Sequence, residues 1–401
     1  MTDATASLAD LRAAAEAILP DVIDIRRRIH RYPELGLDLP VTQAVVAEEL
    51  RALGLESRRG DMTTSVISVI DGARPGPTIL LRADMDALPL QEDTGLDFAS
   101  EIGGQMHACG HDTHVAMLLG AARLLVERRE SLAGRVLLMF QPGEEGFFGA
   151  KFMLEEGLLA DGDVDRAVAL HIYTRFPAGV VAFRPGPMLA SADRIAATVR
   201  GRGGHASTPH LALDPITVAA ELILAWQTAV TRGVDVFDPA VLTVTRVTGG
   251  TTNNIIPESV ELEGTIRTVS EATRASMVEL VERVAAGIAA AHGATIEVEV
   301  VPGYPVTVND PAATAWFREI AVELVGEAGI EDLPAPVMGA EDFSYVLQEV
   351  PGLMAFIGAR PAEADPLTAP QNHSNRVVFD EPSMAVGVAL YAAAAMRHLG
   401  G

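Results

Sequence analysis

The element order is decided between residues 194 and 301, where six segments follow one another. They are RIAATV (194–199), PITVAAELILAWQTAVT (215–231), VLTVTRVT (241–248), VELEGTIRT (260–268), MVELVERVAAGIAAA (277–291) and TIEVEVV (295–301). The four short segments are rich in Val, Ile and Thr and read as strands, and the two long ones carry apolar residues at helical spacing. Strand–helix–strand–strand–helix–strand is the ferredoxin-like pattern, here in roughly 110 residues.

On either side the rhythm differs. Leu8–Ile29 reads as helix ending near Pro33, and Thr42 is placed to cap a second helix reaching Leu53. Val66–Ile70, Thr78–Leu81, Val136–Phe140 and Ala167–Leu170 read as short buried strands, with helices at Thr113–Leu125 and Gly149–Glu156. Strands alternating with helices argue a parallel α/β sheet. After Pro305 that style resumes, with helices at Ala312–Val325 and Ser383–His398 and a surface loop at Arg360–Pro370. The expected architecture is an α/β domain with a parallel-rich central sheet, interrupted by a small α+β domain. The boundaries expected are 1–190 and 303–401 for the larger domain and 191–302 for the insertion.

Composition narrows the function classes. The chain has 401 residues, 49% of them apolar and 21% charged, an ordinary globular mix. Cys109 is the only cysteine, so no disulfide forms within the chain, and a lone thiol suits a reducing compartment. The net charge of −24 opposes binding to nucleic acid or to an anionic membrane, both of which call for basic patches. No apolar run reaches the ~18 residues of a membrane-spanning helix. Met1–Ala17 lacks a basic stretch followed by an apolar one, so a cytoplasmic location is expected.

Polar clusters follow the expected strands. Arg82-Ala83-Asp84-Met85-Asp86 comes after the second, Gln141-Pro142-Gly143-Glu144-Glu145 after the third and His171 after the fourth. Parallel strands put their carboxyl ends on one edge of a sheet, where open α/β folds bind ligands. His107-Ala108-Cys109-Gly110-His111-Asp112-Thr113-His114 stands immediately before a helix, and Asn372-His373-Ser374 lies in a late loop. Thiolate, imidazole and carboxylate together suit zinc or another divalent transition metal.

Each piece alone has a plainer reading. A lone cysteine is commonly a small buried apolar residue, His111-Asp112 could simply cap its helix, and Glu144-Glu145 could be a solvated acidic pair. Their conjunction points to chemistry. Two adjacent glutamates point apart, so one can hold metal while the other faces a water and takes its proton. HExxH, GxSxG, Walker A and GxGxxG motifs are all missing, and a zinc-deaminase CxxC is impossible with one cysteine.

Six ordered motifs carry a resemblance: RADMDALP (82–89), HACGHDTH (107–114), QPGEE (141–145), GGHASTP (203–209), NIIP (254–257) and MGAEDFS (338–344). With HRYPELG (30–36) and the stretch from His373 to Glu381 they span nearly the whole chain. The sequence resembles the aminoacylase/carboxypeptidase-G family of dinuclear metal hydrolases. Within it the likeness is to the branch of hippurate hydrolases, N-acyl-amino-acid amidohydrolases and auxin-conjugate hydrolases. The resemblance implies two divalent transition-metal ions per subunit (zinc, manganese, cobalt or nickel) with Cys109, His111, Glu145, His171 and His373 as ligands. It implies Glu144 as general base and Asp86 as support for the metal site. It further implies that the inserted domain is a dimerisation lid whose His205 polarises the scissile carbonyl in the partner subunit's site. Asn254 and Arg267 match positions that hold the substrate carboxylate, and Gly339 a loop bordering the same pocket.

Two departures stand out. Asn375 replaces a common proline after His373, and Phe147-Phe148 replaces a glycine-rich stretch. Read without the resemblance, His205 is as well a turn histidine and Arg267 a solvated strand residue. His107 and His114 flank the ligands and could orient them. His30, His210, His292 and His398 read as surface or structural. The expected activity is hydrolysis of the amide of an N-acyl amino acid, with a dipeptidase or carboxypeptidase as the alternative. A catalytically silent binding protein is disfavoured, because a pure binder has no use for Glu144 beside the ligands.

Overall fold

Residues 8–30, one periodic stretch in the sequence, fold as two helices, Leu8–Ala17 and Leu19–His30. Pro20 sits in the first turn of the second helix, where a missing N–H costs nothing. The next helix, Pro40–Ala52, also starts on proline, two residues before the cap expected at Thr42. Thr42 is instead buried inside the helix, and the Glu34 carboxylate accepts the backbone N–H groups of Val41 and Thr42 at 3.0 and 2.9 Å. A computed structural model of the protein describes residues 8–160 and 162–400. Residues 1–7, the start of the segment read for a leader, lie outside the described residues. Among the described residues no helix is long and apolar enough to cross a membrane.

The chain divides into two compact units. One comprises Met1–Met188, Val308–Ala335 and Tyr345–Gly401, and the other Leu189–Thr307 and Pro336–Ser344.

The first unit is built on an eight-stranded mixed sheet. Its strand order is Ser57–Arg59, Val66–Asp71, Ala133–Gln141, Arg74–Asp84, Arg166–Pro177, Gly352–Arg360, Val181–Phe183, Ile330–Asp332. The four middle strands, Ala133–Gln141 through Gly352–Arg360, run parallel, and antiparallel pairings lie only outside them. Gly352–Arg360, which the sequence reading passed over, is buried along almost its whole length at the centre of this sheet. Its unbroken apolar run LMAFIGA has no period to separate strand from helix. Helices His111–Val126 and Met384–Leu399 supply much of the core and are buried nearly all round.

The register explains why polar residues gather at one edge. Asp84 pairs with Gln141 and Arg82 with Ala169, so Asp84, Gln141 and His171 stand at one level. Two of these strands end there. The third does not, for Arg166–Pro177 runs six residues beyond His171, which therefore lies within a strand and not after one.

The second unit contains the expected alternation: Ala192–Arg200, helix Pro215–Gly233, Ala240–Gly249, Ser259–Thr268, helix Glu271–His292 and Thr295–Tyr304. Its antiparallel sheet has the order Ala240–Gly249, Ser259–Thr268, Ala192–Arg200, Thr295–Tyr304, which is the ferredoxin-like arrangement. Val260, Leu262 and Ile266 alternate onto one face and pack with Leu222, Trp226, Met277 and Val281 of the helices. Asp214 and Ser270 cap the two helices, accepting the N–H groups of Ile216 and Thr273.

Candidate metal centre

Helix His111–Val126 begins two residues after Cys109, with Gly110 between them at its N-cap in the left-handed region (φ 92°). The neighbouring His-Asp pair does not cap it. Asp112 turns inward, accepts from Arg26 Nε at 3.0 Å and meets His30 Nδ1 at 2.8 Å. Both partners come from helix Leu19–His30, so a buried ion pair ties the two helices together beside the cluster. His30 is thus structural and buried, while His292 pairs with Glu221.

Four segments of the first unit bring donor atoms together. Cys109, His111 and His171 place one ligand atom each within 4.8 Å of one another, and so do Cys109, Glu145 and His373. The Cys109 Sγ is 3.3 Å from His171 Nε2, and His373 Nε2 is 3.2 Å from Glu145 Oε1. The far nitrogens of two rings are already committed. His111 Nδ1 donates to the Asp86 carbonyl at 2.8 Å and His171 Nδ1 to the Ile172 carbonyl at 2.7 Å, which leaves both Nε2 atoms for the cluster. That is how ligating histidines are usually held. Among the described residues the buried His111 Nε2 makes no hydrogen bond, its contact with Asp84 Oδ2 at 3.4 Å being an ion-pair approach, and such an orphaned polar atom is of the kind a metal ion satisfies.

Glu144 and Glu145 are spread apart by a clamp. One carboxylate, Asp86, accepts the backbone N–H of Glu144 at 2.9 Å on one oxygen and that of Glu145 at 3.0 Å on the other. Glu144 is nearly buried, its Oε2 4.0 Å from His111 Nε2. The turn depends on Gly143 and Gly146 at positive φ, and Phe148, also left-handed at φ 61°, begins the next helix. The Phe147 ring is half exposed and covers Gly36.

Electrostatics favour a cation. Hydrogen bonds to Cys109 and Glu145 hold His373 up to about 10. Burial pushes the Cys109 thiol up, with His111 opposing and Glu145 reinforcing that effect. Burial also drives His171 well down, aided by His114. Asp84 stays ionised against its burial because Arg82, His111 and His114 surround it. A divalent ion would replace these protons and meet the concentrated negative potential directly.

Sequence reasoning underplayed three residues. Asp84 accepts from Arg82 Nη1 at 2.8 Å and pairs with His114 Nδ1, while His114 Nε2 accepts the Ile172 N–H at 2.8 Å. Asn372 bonds to the backbone at both Cys109 and Ile172. The available signal was position alone: Asp84 is two residues from Asp86, and Asn372 precedes His373. His107 is buried with neither ring nitrogen hydrogen-bonded among the described residues, and burial drives it down to about 3.

The remaining expected residues belong to the second unit. His205 is exposed on a two-residue strand paired with Ile255–Ile256, and its Nδ1 accepts from the backbone N–H of Ser207 at 3.1 Å. Ala206 N–H bonds to the Asn254 carbonyl at 3.1 Å, so His205 and Asn254 share one small ribbon. Arg267 is half buried on Ser259–Thr268, and burial lowers its basicity while Asp193 opposes the shift. The Gly339 carbonyl accepts the Ala190 N–H at 2.9 Å.

A family model described as peptidase family M20/M25/M40 matches residues 80–397. Thermostable carboxypeptidase 1 of Saccharolobus solfataricus is 41% identical over 380 residues, 94% of this chain and 95% of that protein. N-acetyl-L-cysteine deacetylase of Bacillus subtilis is 42% identical over 337 residues, 84% and 80% of the two chains. Among solved structures, the Bacillus subtilis YXEP protein, described as a dinuclear metal binding peptidase from the M20 family, superposes with a TM-score of 0.82. It is 34% identical, with 96% of this chain and 99% of that one covered.

Proposed function

The chain belongs to peptidase family M20/M25/M40, and from that membership and the donor cluster we propose that it releases amino acids from N-acyl amino acids with two bound divalent ions. It is a metal-dependent hydrolase of linear amides. The observation that carries the two-ion reading is the gathering of five donors in overlapping groups, among them the triples Cys109–His111–His171 and Cys109–Glu145–His373. Cys109, His111, Glu145, His171 and His373 would hold the two ions, with zinc, manganese, cobalt or nickel as candidates. Such ions supply Lewis acidity and make water acidic enough to be deprotonated near neutral pH.

The chain's own residues do the rest. Glu144, whose N–H Asp86 holds, also has a carboxylate oxygen close to donor atoms of His111 and Glu145, and from there it takes the proton of the attacking water and returns it to the departing amine. In a homodimer joined through the second unit, His205 serves the partner subunit's site by polarising the scissile carbonyl. Asn254 and Arg267 hold the substrate carboxylate, and Gly339 borders the pocket. Exposed Leu224, Phe237 and Val247, with the open edge of Ala240–Gly249, support a pairing surface there. A lone thiol used as a ligand fits a reducing, cytoplasmic setting.

The test is a hydrolysis panel on the protein loaded with each of the four metals. Hippurate, N-acetyl amino acids and dipeptides are supplied, and free amino acid is measured. Turnover of N-acyl amino acids supports the reading. Cleavage of dipeptides alone would favour the peptidase alternative, which the resemblance to a carboxypeptidase also supports. No turnover of either class would overturn both.

A further inference from the structure

Asn372 occupies a place that the mechanism above leaves unused. Its side-chain amide donates to the Cys109 carbonyl at 2.9 Å and to the Ile172 carbonyl at 3.0 Å. Its oxygen accepts the Thr174 N–H at 3.1 Å and the Thr174 hydroxyl at 3.3 Å. One amide therefore satisfies all of its principal hydrogen-bonding positions on two segments that are far apart in sequence. Both segments carry donors, Cys109 on the first and His171 immediately before Ile172 on the second. The residue itself is joined to a third donor, His373.

His373 sits in the left-handed region at φ 69°, uncommon for a residue with a side chain. Its N–H bonds to the Ala108 carbonyl at 2.9 Å. Beyond it, the Asn375 carbonyl accepts the Asp93 N–H and Arg376 pairs with Asp93, so the loop is pinned on both sides of the strained residue. The same Thr174 hydroxyl lies 3.2 Å from the Pro370 carbonyl at the loop's entry, so its single proton is shared between that carbonyl and the Asn372 oxygen.

We propose that Asn372 is a positioning residue that sets the spacing of the Cys109, His171 and His373 donors, so that the cluster is organised before an ion arrives. The inference rests on the two-ion reading of the same cluster. In this role Asn372 acts through the three donors it aligns. Asparagine suits this role because two N–H bonds and two acceptor positions lie in one plane on a short side chain. Aspartate has the same outline but turns an acceptor toward two carbonyl oxygens, so Asn372→Asp removes the link while changing little volume.

The test titrates chelator-treated, folded protein with zinc against a competing indicator, and with cobalt while recording the thiolate-to-cobalt absorption band. Asn372→Asp and Asn372→Ala are expected to weaken metal binding by about 10–100-fold, the range found when a group behind a ligand is lost. The cobalt band is expected to move as the Cys109 geometry relaxes. Thr174→Val, which keeps shape but removes one of the four bonds, is expected to weaken binding by less than either. Wild-type affinity and an unshifted cobalt band in a folded Asn372 variant would overturn the proposal. So would failure of both Asn372 variants to fold, which would make the residue simply structural. Failure of the wild-type protein to bind either cation would instead overturn the metal reading on which the proposal stands.

Discussion

One carboxylate, Asp86, sets the surroundings of both Glu144 and Glu145. Asp86 grips both of their N–H groups, turning Glu145 toward His373 and leaving Glu144 beside the His111 ring. Glu144→Gln keeps that grip and every atom of both donor triples. Metal content is therefore expected to be unchanged, while turnover falls by at least the ~10²–10⁴-fold typical of a lost proton-transfer group. Wild-type turnover in the metal-loaded variant would remove Glu144 from the mechanism. The thiol makes a second prediction. A ligating Cys109 is shielded by its ions, so chelation should expose a single alkylatable thiol and abolish activity together. Mass spectrometry after alkylation of apo and loaded protein reads this directly, and equal rates would mark Cys109 as merely buried.

At the scale of elements, the cluster depends on a close approach between a helix start and a strand. A Cβ on Gly110 would lie 2.4 Å from Cγ2 of Ile172, the residue after His171, and 3.1 Å from the Phe379 ring. The positive φ of Gly110 adds its own penalty for any other residue. Gly110→Ala should therefore cost about 1–3 kcal/mol of stability by crowding and strain. It should also weaken metal binding, because the strain falls between Cys109 and His111. Thermal unfolding of the apo protein and zinc titration measure the two effects separately. A variant with wild-type values in both would show that the helix start tolerates displacement. The buried Arg26–Asp112–His30 network fixes the same helix start from its other side.

At the scale of the whole molecule, the proposed homodimer makes catalysis a joint property of two subunits. Glu144→Gln and His205→Ala should each be nearly inactive alone. If His205 serves the partner's site, each mixed dimer regains one complete site, from the subunit that keeps Glu144 and borrows His205. Random exchange makes half the dimers mixed and half their sites complete, so up to about a quarter of wild-type activity should return. Activity measured after exchange, alongside native mass spectrometry of the mixture, decides the matter. Proven heterodimers with no recovered activity would confine His205 to its own chain or remove it from the reaction.

Local regularity made much of this protein legible from its residues. Alternating apolar positions in VELEGTIRT and helical spacing in MVELVERVAAGIAAA follow from backbone periods of 2 and 3.6, which need no knowledge of neighbours. Turn chemistry and donor types did the same for HACGHDTH and QPGEE, where residue identity itself limits the chemistry. Tertiary structure decided whatever depends on partners distant in the chain. Gly352–Arg360 is a strand because a parallel neighbour, Arg166–Pro177, satisfies its backbone, not because of any pattern of its own. Asp112 is a buried ion-pair partner and not a cap because its carboxylate is bonded to Arg26, 86 residues away, and to His30. Asn372 gained its place only when three segments converged, since a hydrogen bond has a geometry in space and none along the sequence.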